Sequence, residues 1–418
     1  RTAVASAVPR RAGALLAALL RPEGGLTAQA TPGRLALVQE LAALVGARQE
    51  PSEVAALLAI LRTLPGNDGT RWQVAGLNGL ADGMGRRGRQ LSTFLLALPA
   101  SQRQAAEAAE QLFTQAGQIC TDRKREPGER VEAIRLLAHA RPETALPILS
   151  RLLRDEPIPE VRLAAVRALA VQPSAQVPRL FMESWTTYTP VLRREVMESM
   201  LRQPERARFL LDEVEVKRVA PGDLDAPSRD RLLKHVQADI RQRAGKLLQA
   251  GTPEQRKQVL QRYRQALMRK GDPERGREVF RQNCATCHQV AGIGTTVGPD
   301  ISDTRTKTPE ALLQDILNPN AAIDANYVNY IVTTKNGKEI TGIIAAETAS
   351  SITLRRAENQ TDTILRQDIE EVRSTGVSLM PEGLEKTITL DQMADLISFL
   401  KNWRYLDGKT PGVDLRRP

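Results

Sequence analysis

The residues best equipped for chemistry lie together in Cys284-Ala285-Thr286-Cys287-His288. Two thiols three positions apart can each add to one vinyl group on a porphyrin edge. A histidine directly after the second thiol is then held beneath the ring, where it can ligate the iron. C-x-x-C-H is the spacing of covalent c-type haem attachment. The 418-residue chain holds three cysteines and three histidines, and this pentapeptide takes two of the former and one of the latter. A disulfide, a redox dithiol or half of a zinc site are the other uses of such a pair. Zinc would need two more ligands, and only Cys120, His139 and His235 remain to supply them. These three fall in helical patterns and read as structural, Cys120 as a small buried apolar side chain. The expected cofactor is one haem c, bound covalently through Cys284 and Cys287, with His288 on the iron.

Such a site needs elements to hold it. Gly271-Asp272-Pro273 breaks a long helical pattern, and Pro273 suits the first turn of a new helix that runs through Gly276 and Phe280 into Cys284. Another helix is expected from Asp391 to Trp403, with Leu396, Phe399 and Leu400 on its packing face. Between about 327 and 375 the pattern turns to β. Tyr327, Asn329, Ile331 and Thr333 alternate with Val328, Tyr330, Val332 and Thr334, and Asn336-Gly337 follows as a hairpin signal. Glu339–Ala346, Ser351–Arg356, Thr361–Leu365 and Ile369–Val372 read as further short strands of a small antiparallel sheet.

From Gly276 to Leu400 the motifs together carry a resemblance. C-A-T-C-H, Gly298-Pro299-Asp300 and the terminal helix resemble class I cytochrome c. Adding L-N-P-N-A-A-I (Leu317 to Ile323), the Asn336-Gly337 hairpin and S-L-M-P-E-G-L (Ser378 to Leu384), the segment closely resembles the haem-binding domain of planctomycete and verrucomicrobial proteins, often preceded by helical repeats. The resemblance implies that Gly276 allows close crossing of the two terminal helices. It implies that the Pro299 carbonyl accepts a hydrogen bond from His288, and that Met380 of the Met-Pro pair is the sixth iron ligand. A His/Met pair fills both axial sites and suits electron transfer. Met393 is the rival sulfur, but it sits at helical spacing as a core residue would. His288 and Met380 are 92 positions apart, far more than in small cytochromes, because of the β insert.

Residues 1–268 read as helical repeats. Glu160–Leu169 is the clearest unit, with similar stretches at Arg130–Leu137, Val191–Leu201 and Asp239–Leu248, and Val131, Val161 and Val191 recur at 30-residue intervals. Proline-bearing turns at Pro142, Pro157, Pro159 and Pro204 separate them. A helical hairpin cannot bury its apolar face alone, so hairpins must stack into a solenoid. The units resemble HEAT repeats with a shorter, less regular period; an irregular helical bundle is the alternative. The fold expected is mainly α: a HEAT-like solenoid (1–268), a class I cytochrome c domain with a small antiparallel β insert (271–407), and a tail (408–418). Arg10-Arg11 and the apolar run Gly13–Leu20 have some likeness to a signal peptide, but Arg21 ends the run, and an amphipathic helix is expected. The chain opens at Arg1, as a processed or partial product would.

The formal net charge is +10. Residues 271–418 carry 17 basic and 21 acidic side chains, against 42 and 28 in the first 270. An arginine-rich solvated face accounts for this, and so does a basic arm that docks on an acidic partner or an anionic surface. No apolar run reaches the roughly 18 residues of a membrane span. Nucleic acid is not an expected partner, since there is neither C₂H₂ spacing nor a basic-aromatic patch. The reading is a c-type cytochrome that passes single electrons between redox proteins. Its helical repeats serve as the docking scaffold of an exported, periplasmic or cell-envelope assembly, and the chain reads as an electron-transfer protein more than an enzyme in itself. The other readings are the electron-accepting C-terminal part of a larger dehydrogenase and a structural subunit of an envelope complex. A peroxidase would need an open axial site, and a dehydrogenase another cofactor motif; neither a distal histidine nor Gly-x-Gly-x-x-Gly is seen.

Overall fold

A computed structural model describes residues 11–21, 24–64, 66–250, 254–304 and 306–406. Arg10 and the tail expected at 408–418 lie outside the described residues. The chain divides into two compact units, Arg1–Leu180 and Phe181–Pro418. The junction expected at 268–271 therefore lies inside the second unit.

The first unit is helical. Proline opens one helix after another (Pro32–Arg48, Pro51–Arg62, Pro127–Leu137, Pro142–Asp155 and Pro159–Ala170). Its fixed φ suits the first helical turn, where no N–H is needed. The apolar run near the start forms the helix Ala12–Leu20, which buries Ala12, Leu16 and Leu20. Within the repeats a buried ion pair joins Arg130 to Glu156, and Arg130 Nε also donates to Cys120 O at 3.0 Å. Cys120 is fully buried, as expected of an apolar side chain.

The 30-residue valine period marks helices but not one buried stripe. Val161 is buried, whereas Val191 is 47% exposed; its helix, Pro190–Met200, buries Leu192, Val196, Met197 and Met200 instead. The sequence repeats, but each helix turns the face that its own neighbours can cover.

The second unit begins with helices, among them Pro190–Met200, Pro204–Glu215, Ala226–Leu233, Ala238–Ala250 and Glu254–Tyr263. The helix expected after Gly271 spans Pro273–Asn283, capped by the Asp272 side chain. The last helix spans Leu390–Asn402, closed at its start by a Thr389/Gln392 capping box. These two cross closely at Gly276, where a Cβ would lie 2.0 Å from Asp395 O. Phe280 and Phe399 pack with ring centroids 5.6 Å apart. Around them Val279, Leu312, Leu313, Leu317, Met393, Leu396 and Leu400 form one apolar core. That core also takes in Tyr263 and Ala266, which the sequence assigns to the repeats.

Two sheets complete the unit. Strands β1 (Gln289–Val290) and β2 (Ile293–Gly294) form a short ribbon, absent from the sequence expectation. The insert is a five-stranded antiparallel sheet of β3 (Val328–Thr334), β4 (Glu339–Glu347), β5 (Ser351–Arg355), β6 (Thr361–Leu365) and β7 (Ile369–Ser378), ordered β6-β5-β4-β3-β7. Alternation in β3 buries Val328, Tyr330 and Val332 on one face. The β3–β4 hairpin closes with Gly337 at φ +81° and Thr334 N bonded to Lys338 O, a three-residue loop with glycine in the left-handed position. Strand β7 pairs with β3 and runs to Ser378, six residues beyond its expected end, delivering the chain to the Met380 loop.

Candidate functional site

The helix Pro273–Asn283 ends where the cysteines begin. Cys284 N and Ala285 N both bond to Phe280 O, at 2.8 and 3.0 Å. The chain then turns on itself: Cys287 N and His288 N each bond to Cys284 O, at 3.1 and 2.9 Å. One helical turn thus presents both thiols and the imidazole together. Cys284 and Cys287 are free thiols, each partly buried. Burial, with a smaller effect of Cys287, pushes the Cys284 thiol up to about 12.

His288 is fixed by its other nitrogen. Nδ1 lies 3.0 Å from Pro299 O. A carbonyl only accepts, so Nδ1 carries the proton and Nε2 keeps a free lone pair. Burial lowers the histidine's pKa, and the Pro299 bond opposes that in part, so the neutral ring is favoured. Gly298 leaves room for the ring: a Cβ there would sit 2.6 Å from His288 Cε1. Gly298 N donates to Cys287 O at 2.6 Å and ties this loop to the thiols.

The insert also touches this side. Glu358 N, in the β5–β6 connection, donates to Thr286 O at 3.1 Å, and Arg355 Nη1 donates to Thr296 O at 2.8 Å.

Met380 lies in a bend two residues past β7 and is partly buried, its N–H bonded to Ser378 Oγ at 3.1 Å. Met393, the rival sulfur, is fully buried in the core between the terminal helices. The loop after Met380 is held from outside the expected cytochrome segment. Arg256 pairs with Glu385 and donates to Leu317 O at 3.1 Å. Tyr263 OH reaches Glu385 O at 2.9 Å and Ile388 O at 2.6 Å. The hydrogen bond from Arg256, partly offset by burial, holds the Glu385 carboxyl below its ordinary range. Sequence reasoning missed Arg256 and Tyr263. The available signal was the tyrosine itself, one of only five in the chain, in a stretch otherwise poor in aromatics.

Of the other candidates, His139 is partly buried in the first unit, and desolvation lowers its pKa. His235 accepts a hydrogen bond from Gln237 N at 3.1 Å. Among the described residues no group of three or more His, Cys, Asp or Glu side chains is arranged to hold a metal ion, and no helix is long and apolar enough to cross a membrane.

The residues present fit a haem: two free thiols and a neutral imidazole on one turn, Nε2 unengaged, and a glycine where any side chain would strike the ring. The sequence comparisons agree. Residues 118–201 match the family model of HEAT repeats, and residues 273–350 match that of cytochrome c. No curated protein matches the chain. The chain joins HEAT repeats to a C-terminal cytochrome c domain with an antiparallel β insert, and that domain implies haem binding in an electron-transfer role.

Proposed function

We propose that the chain is a c-type cytochrome that carries one covalent haem on Cys284 and Cys287, with His288 and Met380 as the axial ligands of its iron. The observation that carries this reading is the single turn that presents both thiols beside a histidine already bonded to Pro299 O. When bound, the haem supplies one-electron chemistry at its iron. The protein's part is positional. Cys284 and Cys287 provide the thiols for attachment. The Pro299 carbonyl orients the His288 ring and makes Nε2 a better donor. The partly buried Met380 offers a soft thioether from a loop and not from a packed helix.

Covalent attachment to C-x-x-C-H takes place outside the cytoplasm, so a periplasmic or cell-envelope location belongs to the same reading. The helical repeats are the docking scaffold for redox partners, a role supported by the basic excess of the first 270 residues. The decisive experiment is a haem stain after denaturing electrophoresis. Stain that stays with the polypeptide is the expected result; haem extracted by acidic acetone would overturn covalent attachment. Cys284→Ala and Cys287→Ala together should release the haem while leaving His288 in place.

A further inference from the structure

We propose that Asn320 is the positioning residue for the methionine-side loop, and that the helices of residues 221–248 hold it there. The inference rests on Met380 as the sixth ligand, as proposed above. The Asn320 amide ties the chain on both flanks of Met380. Ser378 N donates to Asn320 Oδ1 at 2.8 Å, and Asn320 Nδ2 donates to Glu382 Oε1 at 2.8 Å. A single planar group thereby spans the two residues on either side of the methionine. The amide suits both partners, because its oxygen accepts from Ser378 N and its NH₂ donates to Glu382. Aspartate would keep the first bond and set a second carboxylate against Glu382.

Asn320 is itself immobilised from a distance. Ile323 N donates to Gly222 O at 2.9 Å, and a Cβ on Gly222 would lie 2.5 Å from Asn320 O, so the two backbones meet where only glycine fits. Arg229 Nη1 donates to Ala321 O at 2.5 Å and to Pro221 O at 3.3 Å, while its Nη2 reaches Leu248 O at 3.1 Å. The guanidinium thus staples the Asn320 loop to helices far upstream in sequence. The path from Gly222 and Arg229 through Asn320 to Ser378 and Glu382 is continuous, and each step is a direct contact.

The test uses the full-length holoprotein. Asn320→Ala should weaken the far-red sulfur-to-iron charge-transfer band of the ferric form. It should also tighten imidazole binding at the iron about five- to tenfold, the worth of roughly one net hydrogen bond. Asn320→Asp should behave alike, and Asn320→Asp combined with Glu382→Gln, which restores a donor opposite the acceptor, should return both readouts toward the parent. Parental band and imidazole affinity in Asn320→Ala would overturn the positioning role. If Asn320→Ala does not accumulate as holoprotein, the double variant decides: recovery supports the role and no recovery overturns it. Met380→Ala, run in parallel, separates the two claims. A band that survives Met380→Ala removes the ligand assignment and the inference with it. A band lost in Met380→Ala but intact in Asn320→Ala removes the inference alone.

Discussion

Around His288 the bonds to the ring and to the two thiol residues come from residues 280 to 299 (Phe280 O, Cys284 O, Pro299 O and the Gly298–Cys287 contact), with the insert adding Glu358 N on Thr286 O and Arg355 on Thr296 O. Around Met380 the supporting groups come from Asn320, Glu382 and, for the rest of the loop, Arg256 and Tyr263. On the first side the ring and thiol residues themselves are set within a single stretch of chain. The other is assembled from three, two of them upstream of the cysteines or far from the methionine. The difference teaches that the cytochrome fold here does not end where its motif does: helices that read as repeats supply core and clamps to the Met380 loop. The same holds for the insert, where Tyr330 OH donates to Tyr188 O at 2.8 Å and Arg193, paired with the buried Asp223, lies 4.4 Å from the Trp185 ring centroid.

The largest effect expected from this contrast comes from truncation. A fragment starting at 271 loses Tyr263 and Ala266 from the core and leaves Glu385 without Arg256, a loss on the order of 5 kcal/mol or more. It should unfold without a cooperative thermal transition by circular dichroism, whereas residues 181–418 should show one. A cooperative 271–418 fragment would erase the contrast. Next comes Gly276→Ala, whose Cβ would meet Asp395 O at 2.0 Å, backbone that cannot yield. It should cost about 3 kcal/mol in denaturant unfolding. Tyr263→Phe removes the single hydroxyl proton shared by Glu385 O and Ile388 O in the Met380 loop but keeps the ring, so about 1–2 kcal/mol is expected, with the far-red band weakened and the His288–Pro299 side untouched.

Acid should act on both terminal helices and the clamp. The hydrogen bond from Arg256 depresses the Glu385 pKa, with burial opposing; for Asp395, burial pushes the pKa up but Arg275 and the Asp272 N–H outweigh it, and the net shift is down. A carboxylate depressed in the folded state contributes stability above its unfolded value and loses it as pH falls through the folded one. Stability should therefore start to drop below pH 4.5, the ordinary Glu value, and continue below 3.8, that of Asp. Arg256→Gln should flatten the upper part of that fall in pH-dependent unfolding. The smallest effect is expected far from both sides: Gly337→Ala, at φ +81° in the exposed β3–β4 turn, should cost about 1 kcal/mol and leave the visible spectrum unchanged.

What was legible in the sequence was local. The C-x-x-C-H turn, the proline starts of helices, the Asn336-Gly337 hairpin and the alternation of β3 are short-range effects of sterics and periodicity, and a window of a dozen residues contains them. The ribbon β1–β2 escaped because its turn places Ala291, a non-glycine, at φ +53°, which no local preference announces. The 30-residue valine recurrence located helices, yet which face of Pro190–Met200 is buried depended on neighbours that the period does not encode. The unit boundary at Leu180/Phe181, the capture of Tyr263 by the cytochrome core and the bracket of Asn320 around Met380 were decided by tertiary structure alone. Each is a contact across 58 residues or more for Asn320 and Ser378, and over 120 for Tyr263 and Glu385. Hydrogen-bonding side chains carry no mark of a partner so distant; only packing of the intervening chain brings the two into reach.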